Sequence, residues 1–129
     1  YEISLGLVGL GDVYKRQVTE WDEWGDPLHN ADVYRYMKEY TPYENAPSDA
    51  NDARVAVFPK IFITTSMNDT RVLYVEPMKW LARLQRAGVD AVAKIEVEAG
   101  HGGTSGRYKQ WEEISYENAW CLGVMGITS

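Results

Sequence analysis

An aspartate and a histidine, Asp69 and His101, are the residues of this chain whose types and spacing could do chemistry. Each follows a short apolar run that predicts a β-strand, residues 60–66 for the aspartate and 93–98 for the histidine, and each lies in a turn marked by Asn or Gly. Functional side chains of an open parallel sheet gather at the carboxyl ends of neighbouring strands. We therefore expect the carboxylate and the imidazole to come within hydrogen-bonding reach, with His101 as a general base and Asp69 holding its tautomer.

The nucleophile that would complete a Ser, Asp, His order is missing from the sequence. No Gly-x-Ser-x-Gly motif occurs, and Ser105, close behind His101, is not placed for a strand-to-helix elbow. In subtilisin, loss of the serine alone lowers turnover by about six orders of magnitude. This chain is therefore expected to be inactive by itself.

The elements that must position the pair are predicted by periodicity. The stretch between the two strands is amphipathic at helical spacing, with Pro77 in its first turn and Gly88 at its end. Its apolar stripe consists of Trp80, Leu81 and Leu84, and Arg83 and Arg86 are expected to face water. A strand, helix, parallel strand unit follows, and the fold class is α/β with crossover helices.

Two further helices flank this unit. One spans residues 33–40 behind a cap at Asn30 or Asp32, and the polar stretch 45–54 after it is expected to be a surface loop. The last helix, over about residues 108–124, is expected to pack on the sheet through an apolar face made of Trp111, Ile114, Cys121, Leu122 and Met125.

Composition narrows the classes of function. The chain has 129 residues, a net charge of −6 and 45% apolar residues, which is typical of one globular domain at most. The negative charge argues against nucleic acid, and no apolar run is long enough to span a membrane. The single cysteine, Cys121, excludes an internal disulfide and is expected to be a buried, inert thiol.

The first residues have a different character from the rest. Residues 9–17 read Gly-Leu-Gly-Asp-Val-Tyr-Lys-Arg-Gln, which resembles the translation of a transposase mosaic-end adapter used in sequencing libraries. We expect residues 1–17 to be an adapter-derived artefact and residues 18–129 to be the protein itself. The competing interpretation is a genuine strand and turn containing glycine. A phosphate-binding loop is not supported, because the glycines lack the G-x-G-x-x-G spacing.

Several strings in residues 19–126 together carry a family resemblance. They are Glu-Trp-Gly-Asp-Pro at 23–27, Tyr-Met-Lys at 36–38, Pro-Tyr-Glu-Asn at 42–45, Asp-Thr-Arg-Val at 69–72, Glu-Pro-Met-Lys-Trp at 76–80 and Gly-His-Gly-Gly-Thr-Ser-Gly-Arg at 100–107. This stretch resembles the C-terminal part of the catalytic domain of oligopeptidase B, in the prolyl oligopeptidase family of serine peptidases. The resemblance implies an incomplete α/β-hydrolase sheet, no cofactor, a cytoplasmic location and cleavage of peptides after Arg or Lys.

The same resemblance implies roles for individual residues. Asp69 matches the acid of the family's catalytic triad and His101 matches its base. Two acidic residues, Glu20 and Asp22, fall where the family places the carboxylates of its primary specificity pocket, and a carboxylate suits a substrate guanidinium because the contact is bidentate and charge-assisted. The remaining matches are a substrate-binding arginine, Arg71, and an arginine that could pair with the acidic pocket, Arg107.

Plainer interpretations stand beside these. An Asp in an Asn-Asp-Thr turn is by default a turn former, and Glu20, Asp22 and Glu23 are by default a solvated acidic cluster. His29 is expected to be an exposed turn residue, and no ligand spacing supports a metal site. The alternative function is a non-catalytic, small acidic α/β module that binds a cationic partner through residues 20–26.

Overall fold

A computed structural model describes residues 21–70, 73–98 and 107–127. In chain order the described elements are α1 (Trp21–Trp24), α2 (Ala31–Tyr40), a 3₁₀ helix (Ala53–Val57), β1 (Ile61–Ser66), α3 (Val75–Arg86), β2 (Ala91–Glu96) and α4 (Arg107–Val124). The two strands pair in parallel, with Ile61 opposite Ala91 and Ser66 opposite Glu96. The predicted α/β class, with parallel strands joined by a crossover helix, is confirmed.

Helix α2 begins and ends on side-chain hydrogen bonds. The Oδ1 atom of Asn30 accepts from the backbone N–H groups of Asp32 at 2.9 Å and Val33 at 3.3 Å, so Asn30 is the cap. At the other end the buried Thr41 donates from Oγ1 to the carbonyl of Met37 at 2.6 Å. The proline that follows Thr41 cannot continue the helix, which explains why α2 stops there.

The loop after α2 is held by one arginine. The guanidinium of Arg54 donates to the carbonyl of Asn45 at 2.9 Å and to the carboxylate of Asp52 at 2.6 Å. This arginine lowers the pKa of Asp52 well below its usual range through hydrogen bonds to the charged form. Most of the loop is on the surface as predicted, but two of its residues, Ala46 and Pro47, are buried.

Strand β2 starts two residues earlier than its sequence predicts. The N–H of Ile61 donates to the carbonyl of Asp90 at 2.9 Å, so pairing with β1 begins directly at Ala91. Strand β1 ends at Ser66, which leaves Val97 and Glu98 beyond the paired region. The boundary was wrong because it depends on the partner strand and not on local hydrophobicity.

Helix α3 covers the sheet as the periodicity predicts. Trp80, Leu81 and Leu84 are buried, and they form the core together with Ala46, Ile63, Val89 and Ala91. The helix ends in a Schellman motif in which the N–H of Val89 donates to the carbonyl of Leu84 at 3.0 Å. Gly88 occupies the left-handed position of this motif with φ +83, where a side chain would be strained.

One arginine of α3 differs from expectation. Arg86 is exposed as predicted, but Arg83 is only half exposed, and its guanidinium lies 4.9 Å from the ring centre of Tyr43. The cation is attracted to the face of the ring, which comes from the loop after α2. Arg83 therefore connects that loop to the helix, and the prediction that Arg83 faces water is wrong.

Helix α4 does not bury the apolar face that was predicted for it. All five residues named for that face are exposed, namely Trp111, Ile114, Cys121, Leu122 and Met125. These five residues share one side of the helix, but its contacts with the sheet come from the other side. Among the described residues, its aromatic contacts with the sheet are a stack of Trp120 on Phe62 with ring centres 5.3 Å apart, and the Lys94 ammonium over Tyr116. The prediction of a buried thiol at Cys121 is also wrong, because Cys121 lies on the exposed side of α4.

Candidate active site

The carboxyl ends of β1 and β2 lie side by side, because the strands are parallel and in register. Ser66 ends β1 opposite Glu96, which ends β2. One more backbone bond follows, from the N–H of Met67 to the carbonyl of Glu96 at 2.8 Å. The two chain segments that leave this edge are therefore neighbours, as a site at the end of a parallel sheet requires.

Asp69 lies in a tight turn directly after β1. Its backbone N–H donates to the carbonyl of Ser66 at 3.2 Å, and the N–H of Asn68 donates to the Oγ of Ser66 at 3.4 Å. Ser66 is buried, whereas Asp69 is half-buried. The turn thus fixes the backbone of the acid to a buried anchor at the sheet edge.

A side chain joins this turn to the other strand. The Nδ2 of Asn68 donates to the carbonyl of Val97 at 2.8 Å, across 29 positions of sequence. Val97 and Glu98 begin the segment that leads from β2 towards His101. Beyond it, the Lys109 ammonium of α4 lies 3.7 Å from a carboxylate oxygen of Glu98.

Several predicted site residues lie outside the described part of the chain. They are Glu20, Arg71 and His101, and of Arg107 only the backbone, which begins α4, is described. The expected contact between Asp69 and His101 therefore stays a prediction. What the structure does bring together is the acid turn and the start of the segment that carries His101.

One carboxylate of the acidic segment near α1 is hydrogen-bonded within that segment. Asp22 and Glu23 are exposed, but a carboxylate oxygen of Asp26 lies 2.7 Å from Nδ1 of His29. Burial acts to raise the pKa of Asp26, and the hydrogen bonds from His29 and from the backbone of Leu28 outweigh it, so the pKa is lowered. His29 is exposed as predicted, and its ring makes an edge-to-face contact with Trp21, with ring centres 5.5 Å apart.

Two features are absent from the described residues. Within residues 21–70, 73–98 and 107–127, no three His, Cys, Asp or Glu side chains are grouped so that they could hold a metal ion. Over the same ranges no helix is long and apolar enough to cross a membrane.

Asn68 and the pair of Glu98 and Lys109 belong to this region, although no sequence motif identifies them. In the sequence Asn68 marks only a turn, since its partner Val97 is remote. An asparagine directly before a candidate acid, at the end of a parallel strand, is the signal that could have suggested a bond to the next strand. No local pattern would have paired Glu98 with Lys109, because the contact depends on where α4 begins.

Comparisons with known proteins show which family the chain belongs to. Residues 10–128 match the prolyl oligopeptidase family. The chain is 44% identical over 111 residues to Protease 2 of Moraxella lacunata, covering 84% of this chain and 15% of that protein. It is 34% identical over 140 residues to dipeptidyl aminopeptidase BI of Pseudoxanthomonas mexicana, covering 100% of this chain and 18% of that protein.

These matches bear on the size and the boundaries of the chain. It spans less than a fifth of the length of the two curated relatives. The family match includes residues 10–17, which the sequence analysis assigned to an adapter, and that assignment stays a prediction. The parallel pair of strands with its crossover helix is consistent with part of an α/β-hydrolase sheet. The chain belongs to the prolyl oligopeptidase family of peptidases.

Proposed function

We propose that this chain supplies the acid and the base of a serine-peptidase triad, Asp69 and His101. The observation that carries the proposal is the hydrogen bond from Asn68 to Val97, because it joins the turn of Asp69 to the start of the segment that holds His101. Membership of a peptidase family supports the same assignment. Peptides are the proposed substrates.

In this mechanism the imidazole of His101 takes the proton of an attacking serine hydroxyl and later gives it to the leaving amine. The Asp69 carboxylate accepts a hydrogen bond from the other ring nitrogen, which fixes the tautomer and stabilises the imidazolium. This sequence contains no serine in a Gly-x-Ser-x-Gly elbow. The chain alone is therefore proposed to be inactive.

We further propose that the enzyme cleaves after Arg or Lys, with Glu20 and Asp22 facing the substrate cation. Asp22 is exposed on α1, where its carboxylate is accessible to a ligand. Arg71 would bind a backbone carbonyl of the substrate, and Arg107 would pair with the acidic pocket. A cytoplasmic location is proposed on the strength of the same family resemblance. The alternative module for a cationic partner has less support, since the Asp26 carboxylate is already paired with His29.

A chimera tests the triad. Residues 19–126 of this chain replace the matching segment of the Moraxella lacunata Protease 2, and hydrolysis of fluorogenic peptides ending in Arg is measured. We expect Asp69→Asn to lower kcat by about 10⁴-fold, the effect of the same change in chymotrypsin-like enzymes, and His101→Ala to be at least as severe. Asp90→Asn is the matched control, because Asp90 pairs with Lys60 at the opposite end of the sheet. Wild-type turnover in the Asp69→Asn chimera would refute the role of Asp69.

The specificity assignment has a separate test. In the same chimera, Glu20→Gln and Asp22→Asn are expected to raise KM for peptides ending in Arg, with little change for peptides ending in Ala. Glu39→Gln, a change at an exposed position of α2, is the control. An equal effect on both substrates would remove Glu20 and Asp22 from the proposed pocket while leaving the triad assignment untouched.

A further inference from the structure

The turn after β1 is joined to the segment after β2 by a side-chain hydrogen bond. The regular ladder ends with the bond from Met67 to Glu96, since the backbone N–H groups of Asn68 and Asp69 turn back to Ser66. Val97 is the first residue after β2. The carboxamide of Asn68 donates to its carbonyl at 2.8 Å. This bond therefore joins the two segments just beyond the last backbone bond between the strands.

The position of the bond from Asn68 to Val97 gives it a consequence for the site. Asn68 is the residue directly before Asp69, and Val97 lies four residues before His101. In the proposed triad, a shift between the two segments would change the separation of acid and base. Asn68 and Val97 are both exposed, so the bond adds little to overall stability. Its effect is expected on geometry, where a displacement of about 1 Å can cost about a hundredfold in rate.

We propose that Asn68 is a positioning residue that holds the Asp69 turn against the start of the His101 segment and so sets the distance between acid and base. This inference rests on the proposed triad and adds a residue to it. Asn68 touches neither substrate nor reacting atoms in this role and acts through Asp69. The requirement is a side-chain N–H donor of this reach, since the acceptor is a backbone carbonyl.

The full chain offers a direct measurement, because it contains two histidines, His29 and His101. Their imidazole signals are followed by NMR against pH in wild type, Asn68→Leu, Asp69→Asn and Asn51→Leu. Leucine has nearly the shape of asparagine but no donor. Asn51, exposed in the loop before the 3₁₀ helix, makes no side-chain hydrogen bond to described residues and is the matched control.

A nearby carboxylate favours the protonated imidazole. Asp69→Asn is therefore expected to move the His101 midpoint to lower pH, and Asn68→Leu to move it in the same direction by part of that amount. Glu96, Glu98 and Lys109 also carry charge near the end of β2, but they are unchanged in every variant. The His29 midpoint should be the same in all four proteins. The His101 midpoint of Asn51→Leu should match that of wild type.

The possible failures are distinguishable. An unmoved His101 midpoint in Asp69→Asn overturns the triad, and with it this inference. A midpoint that moves in Asp69→Asn but not in Asn68→Leu overturns the role of Asn68 alone. Equal shifts in Asn68→Leu and Asn51→Leu would do the same.

The chimera with Protease 2 provides a second readout that does not require the isolated chain to fold. There Asn68→Leu is expected to lower kcat by about tenfold, with KM little changed, and to move the acid limb of the kcat/KM profile to lower pH. A purely structural role would lower the melting temperature and leave that limb in place. The role is also refuted if Asn68→Leu and Asn51→Leu chimeras have the same kcat and the same acid limb.

Discussion

The core beneath the sheet can be tested at its most buried side chain. Leu84 is 0% exposed and lies among Ile63, Trp80 and Val89. The change Leu84→Ala removes three buried carbons, a transfer loss of roughly 2.4 kcal/mol at about 0.8 kcal/mol for each. A cavity that collapses only in part adds about 1 kcal/mol. We therefore expect the free energy of unfolding to fall by about 3 kcal/mol.

Urea denaturation, followed by tryptophan fluorescence, measures this loss, because Trp80 is 6% exposed in the same core. In a thermal melt the same loss corresponds to about 12 °C, at about 4 °C for each kcal/mol in a chain of this size. Leu28→Ala is the matched control. Leu28 is 51% exposed, so its replacement should cost less than about 1 kcal/mol.

The comparison has a clear refuting result. If Leu84→Ala costs no more than Leu28→Ala, then α3 does not seal the sheet as described. The positions of the two strand ends would then have another cause. A loss near 3 kcal/mol, with an unchanged slope against urea, supports one cooperative core under β1 and β2.

Two other predictions concern single residues. Gly25 has φ +90, and an added Cβ would lie 2.8 Å from a methyl carbon of Val33. Gly25→Ala should therefore lower the free energy of unfolding by at least about 2 kcal/mol in urea denaturation. Gly123 lies in open space on α4, so Gly123→Ala should raise it by about 0.5–1 kcal/mol. Equal effects of the two changes would contradict this. Because Arg54 lowers the pKa of Asp52, the stabilisation by the charged form is present above about pH 4, the usual aspartate value, and is lost as pH falls below it. Wild type should thus lose its stability advantage over Asp52→Asn in acid, and parallel pH profiles of the two proteins would refute the role of Arg54.

The site could be predicted from the sequence only in part. The strand before Asp69 and the turn that holds it follow from local patterns, because an apolar run followed by Asn-Asp-Thr marks both. The bond from Asn68 to Val97 does not, since its partners are 29 positions apart. The internal pairing of Asp26 with His29 was also missed, although the residues are close in sequence, because the turn between them decides which atoms meet.

Local periodicity and end signals specify some elements from the amino-acid sequence alone. Helix α3 is one of them, since a buried stripe of Trp80, Leu81 and Leu84 and a left-handed terminal residue at Gly88 are encoded locally. The start of β2 and the exposure of Cys121 on α4 follow instead from tertiary contacts. Those outcomes depend on which surfaces a neighbouring element covers, and a hydrophobic residue shows in the sequence only that it could be buried.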